Sequence, residues 1–220
     1  MRGMFDIVGP VMIGPSSSHT AGAVRLGLMA GKILGEQPVK AEIKLHGSFA
    51  QTYRGHGTDR ALIAGILGFQ PDDERIRNSM DIARERGMDF SFSKVEIFEA
   101  HPNTAIIELT GVSGRRTVVT GASIGGGNIN ILNIDGFEVN LSGQYPAMLV
   151  IHRDVPGVIN KVTWALSRFE INIAFMRLSR KSRGEEALML LETDENVPEE
   201  VVEECKQVHN VSDVFTVPSI

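Results

Sequence analysis

Apolar residues recur along the chain with two periods, and where the period changes the elements can be read off. VKAEIKLH alternates strictly: Val39, Ala41, Ile43 and Leu45 stand opposite Lys40, Glu42, Lys44 and His46, which predicts a half-buried strand. AGAVRLGLMAGKIL predicts a helix that the preceding serines or threonine can cap. TDRALIAGILG predicts another, opened by Thr58 or Asp59 and stopped by Gly68. DERIRNSMDIARERG puts Ile76, Met80 and Ala83 on one helical face and ends at Gly87. SKVEIF, TAIIEL, RRTVVTGAS and NINILNIDGFEVNL then predict strands. The last carries an Asp135-Gly136 pair suited to a two-residue type I′ hairpin turn.

From about Ala147 the alternation becomes more compact. AMLVIH predicts a buried strand, and DVPGVINKVTWALSRF a helix with Val158, Val162, Ala165 and Leu166 on one face. INIAFMRLSR predicts a strand in which Ile171, Ile173 and Phe175 alternate with small or polar residues. KSRGEE is a polar connection, and ALMLLET the next strand. VPEEVVEECKQ predicts a helix with Pro198 in its first turn and acids at the positive end of its dipole, and NVSDVFTV a final strand. The order βαββαβ in about 70 residues is a ferredoxin-like unit with an antiparallel sheet and both helices on one face. The chain therefore predicts an α+β protein: a mixed α/β domain over 1–145 and a βαββαβ domain over 147–220.

Composition narrows the function. The 220 residues are 42% hydrophobic and 22% charged, a profile that supports one or two domains with real cores. The net charge of -5 argues against nucleic acid, whose phosphates need a basic face. No apolar run is long enough to span a membrane, and the first fifteen residues, broken by Asp6, Gly9 and Pro10, do not read as a signal peptide. A cytoplasmic location is the expectation. There is one cysteine, Cys205, so no intrachain disulfide can form, and iron–sulfur or structural zinc sites usually take several thiolates. Any iron–sulfur chemistry would need its cluster on another chain.

Four segments carry candidate chemistry. Ser16, Ser17, Ser18, His19 and Thr20 stand in a row before a helix, where helix N–H groups and hydroxyls can cradle a carboxylate or phosphate. The spacing of Gly9 and Gly14 imitates a P-loop, but Pro15 and Ser16 stand where that motif requires lysine. The second segment, from His46 to Asp59, places His46, Ser48, His56 and Thr58 beside glycine-rich turns. Imidazoles there can exchange protons near neutral pH or hydrogen-bond a buried backbone. The third, Gly121 to Asn128, is either a backbone nest for an anion or a sharp turn. In the fourth, Asp154, Gly157, Val158, Asn160 and Asn172 mark the edge of the βαββαβ unit where a small zwitterion can bind. No metal-ligand spacing appears.

GPVMIGPSSSHTAGAVRLG, HGSFAQTYRGHGTD and GASIGGGNI, in this order, resemble the beta chain of bacterial iron–sulfur L-serine dehydratase, and DVPGVI with the later Asn172 is similar to ACT domains. The first region also looks like the allosteric substrate-binding domain of some phosphoglycerate dehydrogenases. The resemblance implies a lyase of amino-acid degradation and gluconeogenesis, converting L-serine to pyruvate and ammonia. Its [4Fe-4S] cluster sits on a partner alpha subunit, and it leaves room for a monovalent cation. It implies that His19, His46 and His56 are catalytic and that Ser16, Ser17, Ser18, Thr20, Ser48 and Thr58 bind substrate. It also implies that the ACT edge holds a regulatory amino acid and mediates self-association. A regulatory module with no catalytic group and an unrelated phosphate-binding enzyme are the alternatives; the lack of a phosphate-directed lysine weighs against the second.

Overall fold

The computed structural model describes residues 11–220; the readings of the N-terminal stretch and of Gly9 lie outside the described residues. The chain forms two compact units divided between Asp135 and Gly136. The ACT-like domain was expected from residue 147, so the second unit begins somewhat before it.

In the first unit a π-helical turn, Ser17–Ala21, runs into α1, Gly22–Leu34. There follow β1 (Pro38–Leu45), α2 (Gly47–His56), α3 (Thr58–Ile66), a 3-10 turn (Glu74–Asn78) and α4 (Ser79–Glu85). Strands β2 (Asp89–Lys94), β3 (Thr104–Gly111), β4 (Arg116–Gly125) and β5 (Asn128–Ile134) complete it. They assemble in the order β2-β1-β3-β4-β5, with β1 parallel to β2 and the other pairs antiparallel. The alternation read in β1 is realised: Ala41, Ile43 and Leu45 are buried. They join Leu26, Met29 and Ile33 of α1, Leu62 and Ile63 of α3, and Ile107 and Leu109 of β3, all fully buried. Each such side chain contributes about 1.5–3 kcal/mol by leaving water.

Helices α1 and α3 approach unusually closely because glycines face each other's backbone. A Cβ at Gly65 would lie 2.0 Å from the Val24 carbonyl oxygen, and one at Gly27 2.2 Å from that of Leu62. This contact sets the position of both elements that carry the site, since α1 continues the π turn and α3 begins at Thr58.

Three expectations need correction. The segment from His46 to Asp59 is not a run of glycine-rich turns: its glycines fall at the ends of a ten-residue helix, α2, with Gly57 at φ 70 as the left-handed link to α3. SKVEIF is not a strand beyond Lys94, because β1 ends at Leu45 and offers β2 no partner past the Leu45–Lys94 pair. The predicted single helix over DERIRNSMDIARERG is broken. Asp73 caps a 3-10 turn by accepting from the Arg75 amide at 2.9 Å, and the Ser79 hydroxyl donates to the Arg60 carbonyl at 2.7 Å where α4 starts. The Gly125–Gly127 run, left open between nest and turn, is the turn between β4 and β5, with all three glycines at positive φ. Asp135 and Gly136 also have positive φ, as a type I′ turn requires.

The second unit holds β6 (Phe137–Leu141), β7 (Ala147–Arg153), α5 (Val158–Arg168), β8 (Ile173–Arg180), β9 (Glu186–Thr193), α6 (Glu199–Lys206) and β10 (Val211–Val217). β7 to β10 form an antiparallel sheet in the order β10-β7-β9-β8. Met148, Val150, Met189 and Leu191 face Val158, Val162, Leu166, Val201 and Val202, so both helices cover one face, as the βαββαβ reading requires.

Candidate active site

The densest polar segment folds into an unusual helical start. Ser16 is extended, and its Oγ accepts from the His19 amide at 3.2 Å, which caps the turn. The turn then closes with the Gly22 amide donating to the Ser17 carbonyl, five residues back, so it is one residue wider than an α turn. Thr20 and Ala21 turn inward and are buried; Ser16, Ser17, Ser18 and His19 are half-buried.

His19 sits between hydroxyls. Its Nε2 lies 3.0 Å from Ser48 Oγ at the start of α2, and its Nδ1 lies 3.4 Å from Ser16 Oγ. Either nitrogen can carry the proton, because each hydroxyl can rotate to donate or accept. The ring meets Phe49 edge-on at 5.3 Å and His56 at 5.0 Å. Burial, and secondarily the neighbouring His56, hold the His19 pKa below its ordinary 6.5. The imidazole is therefore neutral at pH 7 and able to take up a proton.

Around this group lie buried hydroxyls. Thr20, Thr58 and Ser123 are almost fully buried, and their hydroxyl oxygens have no hydrogen-bond partner among the described residues. Leaving such a group unpaired costs about 1–3 kcal/mol. Ser123 on β4 packs against α1, where a Cβ at Gly22 would come within 2.0 Å of its Oγ. Neither Ser123 nor Phe49 was singled out from sequence: Ser123 lay unremarked within the Gly121–Asn128 segment and Phe49 within the His46–Asp59 segment.

His46 is placed differently. It precedes α2 and turns to the connection after β2, where its Nδ1 lies 3.2 Å from the Ile97 amide and 3.3 Å from the Val95 carbonyl. The amide can only donate and the carbonyl only accept, so Nδ1 serves one or the other according to the tautomer of the ring. Glu96 approaches the same atom at 3.8 Å. Among the described residues no hydrogen bond or ring contact joins His46 to His19. The structure thus gathers Ser16, His19, Ser48 and His56 and sets His46 on backbone.

In the second unit the Asp154 carboxylate accepts from Arg180 at 2.8 Å and from the Gly184 amide at 3.3 Å, which holds its pKa below the usual carboxylate range. Asn172 donates to Asp194 at 2.7 Å. Gly157 is left-handed at the start of α5, and Val158 is buried in the core, so it has only backbone to offer a ligand. Asn160 is exposed and lines a cavity of about 410 Å³ with Trp164 and His209.

The donor set does not fit an iron–sulfur cluster. Cys205 is fully buried in α6, and burial with the Glu204 charge pushes its thiol up to about 11. Among the described residues no three His, Cys, Asp or Glu side chains gather to hold a metal. No helix among them is long and apolar enough to cross a membrane.

Residues 3–85 match the family described as serine dehydratase beta chain, and residues 147–210 match the ACT domain. The chain is 46% identical over 213 residues to a protein named probable L-serine dehydratase, beta chain, of Bacillus subtilis (strain 168), covering 97% of this chain and 96% of that one. It is 39% identical to the L-serine dehydratase beta chain of Peptoniphilus asaccharolyticus, over 89% and 88%. A D-3-phosphoglycerate dehydrogenase of Synechocystis sp. is 29% identical over 89% of this chain and 35% of its own length.

Proposed function

This chain belongs to the L-serine dehydratase beta-chain family, and from that premise we propose that it supplies a proton-handling, substrate-orienting surface to an enzyme converting L-serine to pyruvate and ammonia. The observation that carries the reading is His19, neutral at pH 7 and held by hydroxyls at both ring nitrogens. Loss of water from serine requires the Cα–H bond to break, its electron pair to form the Cα–Cβ double bond, and the β-hydroxyl to depart as water. The resulting aminoacrylate tautomerises to an imine, which water hydrolyses to pyruvate and ammonia. His19 is the group in this chain suited to accept the Cα proton. Ser16, Ser17, Ser18 and Ser48 orient the substrate carboxylate and amine by hydrogen bonds, and the unpaired Thr20 and Thr58 hydroxyls are further donors there.

The partner is an alpha subunit that holds the [4Fe-4S] cluster; Cys205 gives this chain no means to do so, and no step assigned to its residues passes through the cluster. A monovalent cation remains part of this reading, with the buried hydroxyls as oxygen ligands. The ACT half binds a regulatory amino acid and pairs with a second copy, and the complex works in the cytoplasm. A second reading, a regulatory module only, is favoured by one observation: a related stretch makes up about a third of an enzyme with a different name.

Reconstitution with the alpha subunit separates the two. His19→Gln should abolish most turnover while assembly persists. Full turnover by that variant would leave the chain regulatory.

A further inference from the structure

One end of the first unit's sheet gathers the elements that carry the site. β1 and β2 stop there at the paired Leu45 and Lys94, and the Val95 amide donates to the Leu45 carbonyl at 2.9 Å. β3 begins there, with the His46 amide donating to the Thr104 carbonyl at 3.0 Å. β4 arrives at Ser123, whose amide donates to the Asn103 carbonyl at 3.0 Å. α2 opens from this end directly after His46, and the turn with His19 meets it where Gly22 lies against Ser123.

Two large apolar side chains stand in solvent on either side of these groups. Phe98 is 91% exposed, one residue past the Ile97 amide that meets His46. Ile124 is 54% exposed, one residue past Ser123. A closed turn presents Phe98: the Ala100 amide donates to the Ile97 carbonyl at 3.3 Å, and Glu99 takes φ 54, the left-handed position that a type II turn usually gives to glycine. Holding a phenylalanine in water on a strained turn stabilises nothing in the chain by itself, and such strain collects at functional segments. Glu96 and Glu99 flank Phe98 and are exposed, with Lys94 at the base of the turn. An aromatic anchor with a charged rim is the anatomy of a protein interface.

We propose that this sheet end is the docking surface for the alpha subunit, with Phe98 and Ile124 entering an apolar recess on the partner and Glu96 and Glu99 facing basic side chains around it. The assignment rests on the two-chain reading above, and position selects the occupant. The groups assigned to the substrate lie between the two anchors, so a partner that completes the site must close over this end. A second copy of this chain seated there would instead shut His19 away from the alpha subunit.

Titration calorimetry of the full chain with purified alpha subunit under nitrogen tests the surface without turnover. The Phe98→Ser/Ile124→Thr double variant should weaken association at least tenfold, with its melting midpoint unchanged because both side chains are exposed. Val112→Ser is the control. That residue is 60% exposed at the opposite end of the same sheet, where its amide donates to the Gln37 carbonyl at 3.0 Å, and its loss should leave association as it was. Parent-like association of the double variant, or an equal loss in Val112→Ser, overturns the docking surface and leaves the two-chain reading standing. So does a double variant that binds the alpha subunit normally but loses self-association by sedimentation, which would make a second copy the occupant. No association of the parent chain overturns both.

Discussion

The close crossing of α1 and α3 makes Gly65→Ala the most informative single substitution. The added methyl would sit 2.0 Å from the Val24 carbonyl oxygen and 2.6 Å from the Leu28 amide nitrogen. Both are helix backbone, so no flexible side chain can move aside, and the helices must separate by more than an ångström. Overpacking of this kind costs about 1–3 kcal/mol, and backbone contact places it at the upper end. Alanine returns about 0.5–1 kcal/mol of helix propensity, which leaves a net loss of about 2 kcal/mol. For a protein of this size that lowers the melting midpoint by roughly 4–8 °C. Gly55→Ala is the control: it lies on the exposed side of α2 with nothing within 4 Å of the new methyl, and should be neutral or slightly stabilising. Thermal melts by circular dichroism measure the shift. Trp164, the single tryptophan, is on α5, so its fluorescence follows the second unit separately. If Gly65→Ala melts within 1 °C of the parent, or no lower than Gly55→Ala, the crossing does not constrain the fold as argued.

Other outcomes follow from individual groups. His19→Gln should lower kcat of the reconstituted enzyme by about 10²–10⁴-fold, the range of a lost general base, with KM little changed. In the parent enzyme, activity needs His19 unprotonated, so it should fall as pH drops through a midpoint below 6.5; a limb centred well above 6.5 would point to another group. Cys205, with its thiol pushed up to about 11, should resist iodoacetamide at pH 8 in the folded chain and react in 6 M guanidinium; rapid native labelling would contradict its burial. Burial raises the Glu192 pKa above its unfolded value, so its contribution to stability is greatest at acid pH and is lost as pH rises through the folded value. Glu192→Gln should therefore gain stability over the parent at pH 8 but not at pH 4 in urea titrations.

Much of the architecture was legible because period carries it. β1, α3 and the βαββαβ order show apolar faces bounded by turn residues and formed where expected, except that β8 starts at Ile173 rather than Ile171 and its alternation is broken by a register shift before an exposed Phe175. Elements failed where tertiary context outweighed pattern. α2 was obscured by glycines that proved to be helix ends, and β2 shifted because a parallel edge strand extends only as far as its neighbour. At the site, proximity in sequence identified the polar turn but not its geometry. His19 meets Ser48 across 29 positions, a pairing only the fold can create. His46 stood in the same motif as His56, yet a strand end points it to the Val95–Ile97 backbone. Ser123 carried no local signal, since its significance comes from β4 passing beside Gly22.

The extra residue in the Ser17–Ala21 turn fixes the helical phase of everything before Gly22. Deleting one residue there would let ordinary α pitch resume and swing the preceding side chains about 100° around the helix axis. His19 would then leave Ser48 without any change in its own identity. Length, in this stretch, is as much a functional specification as composition, and insertions or deletions between Ser16 and Gly22 should be tolerated far less well than substitutions.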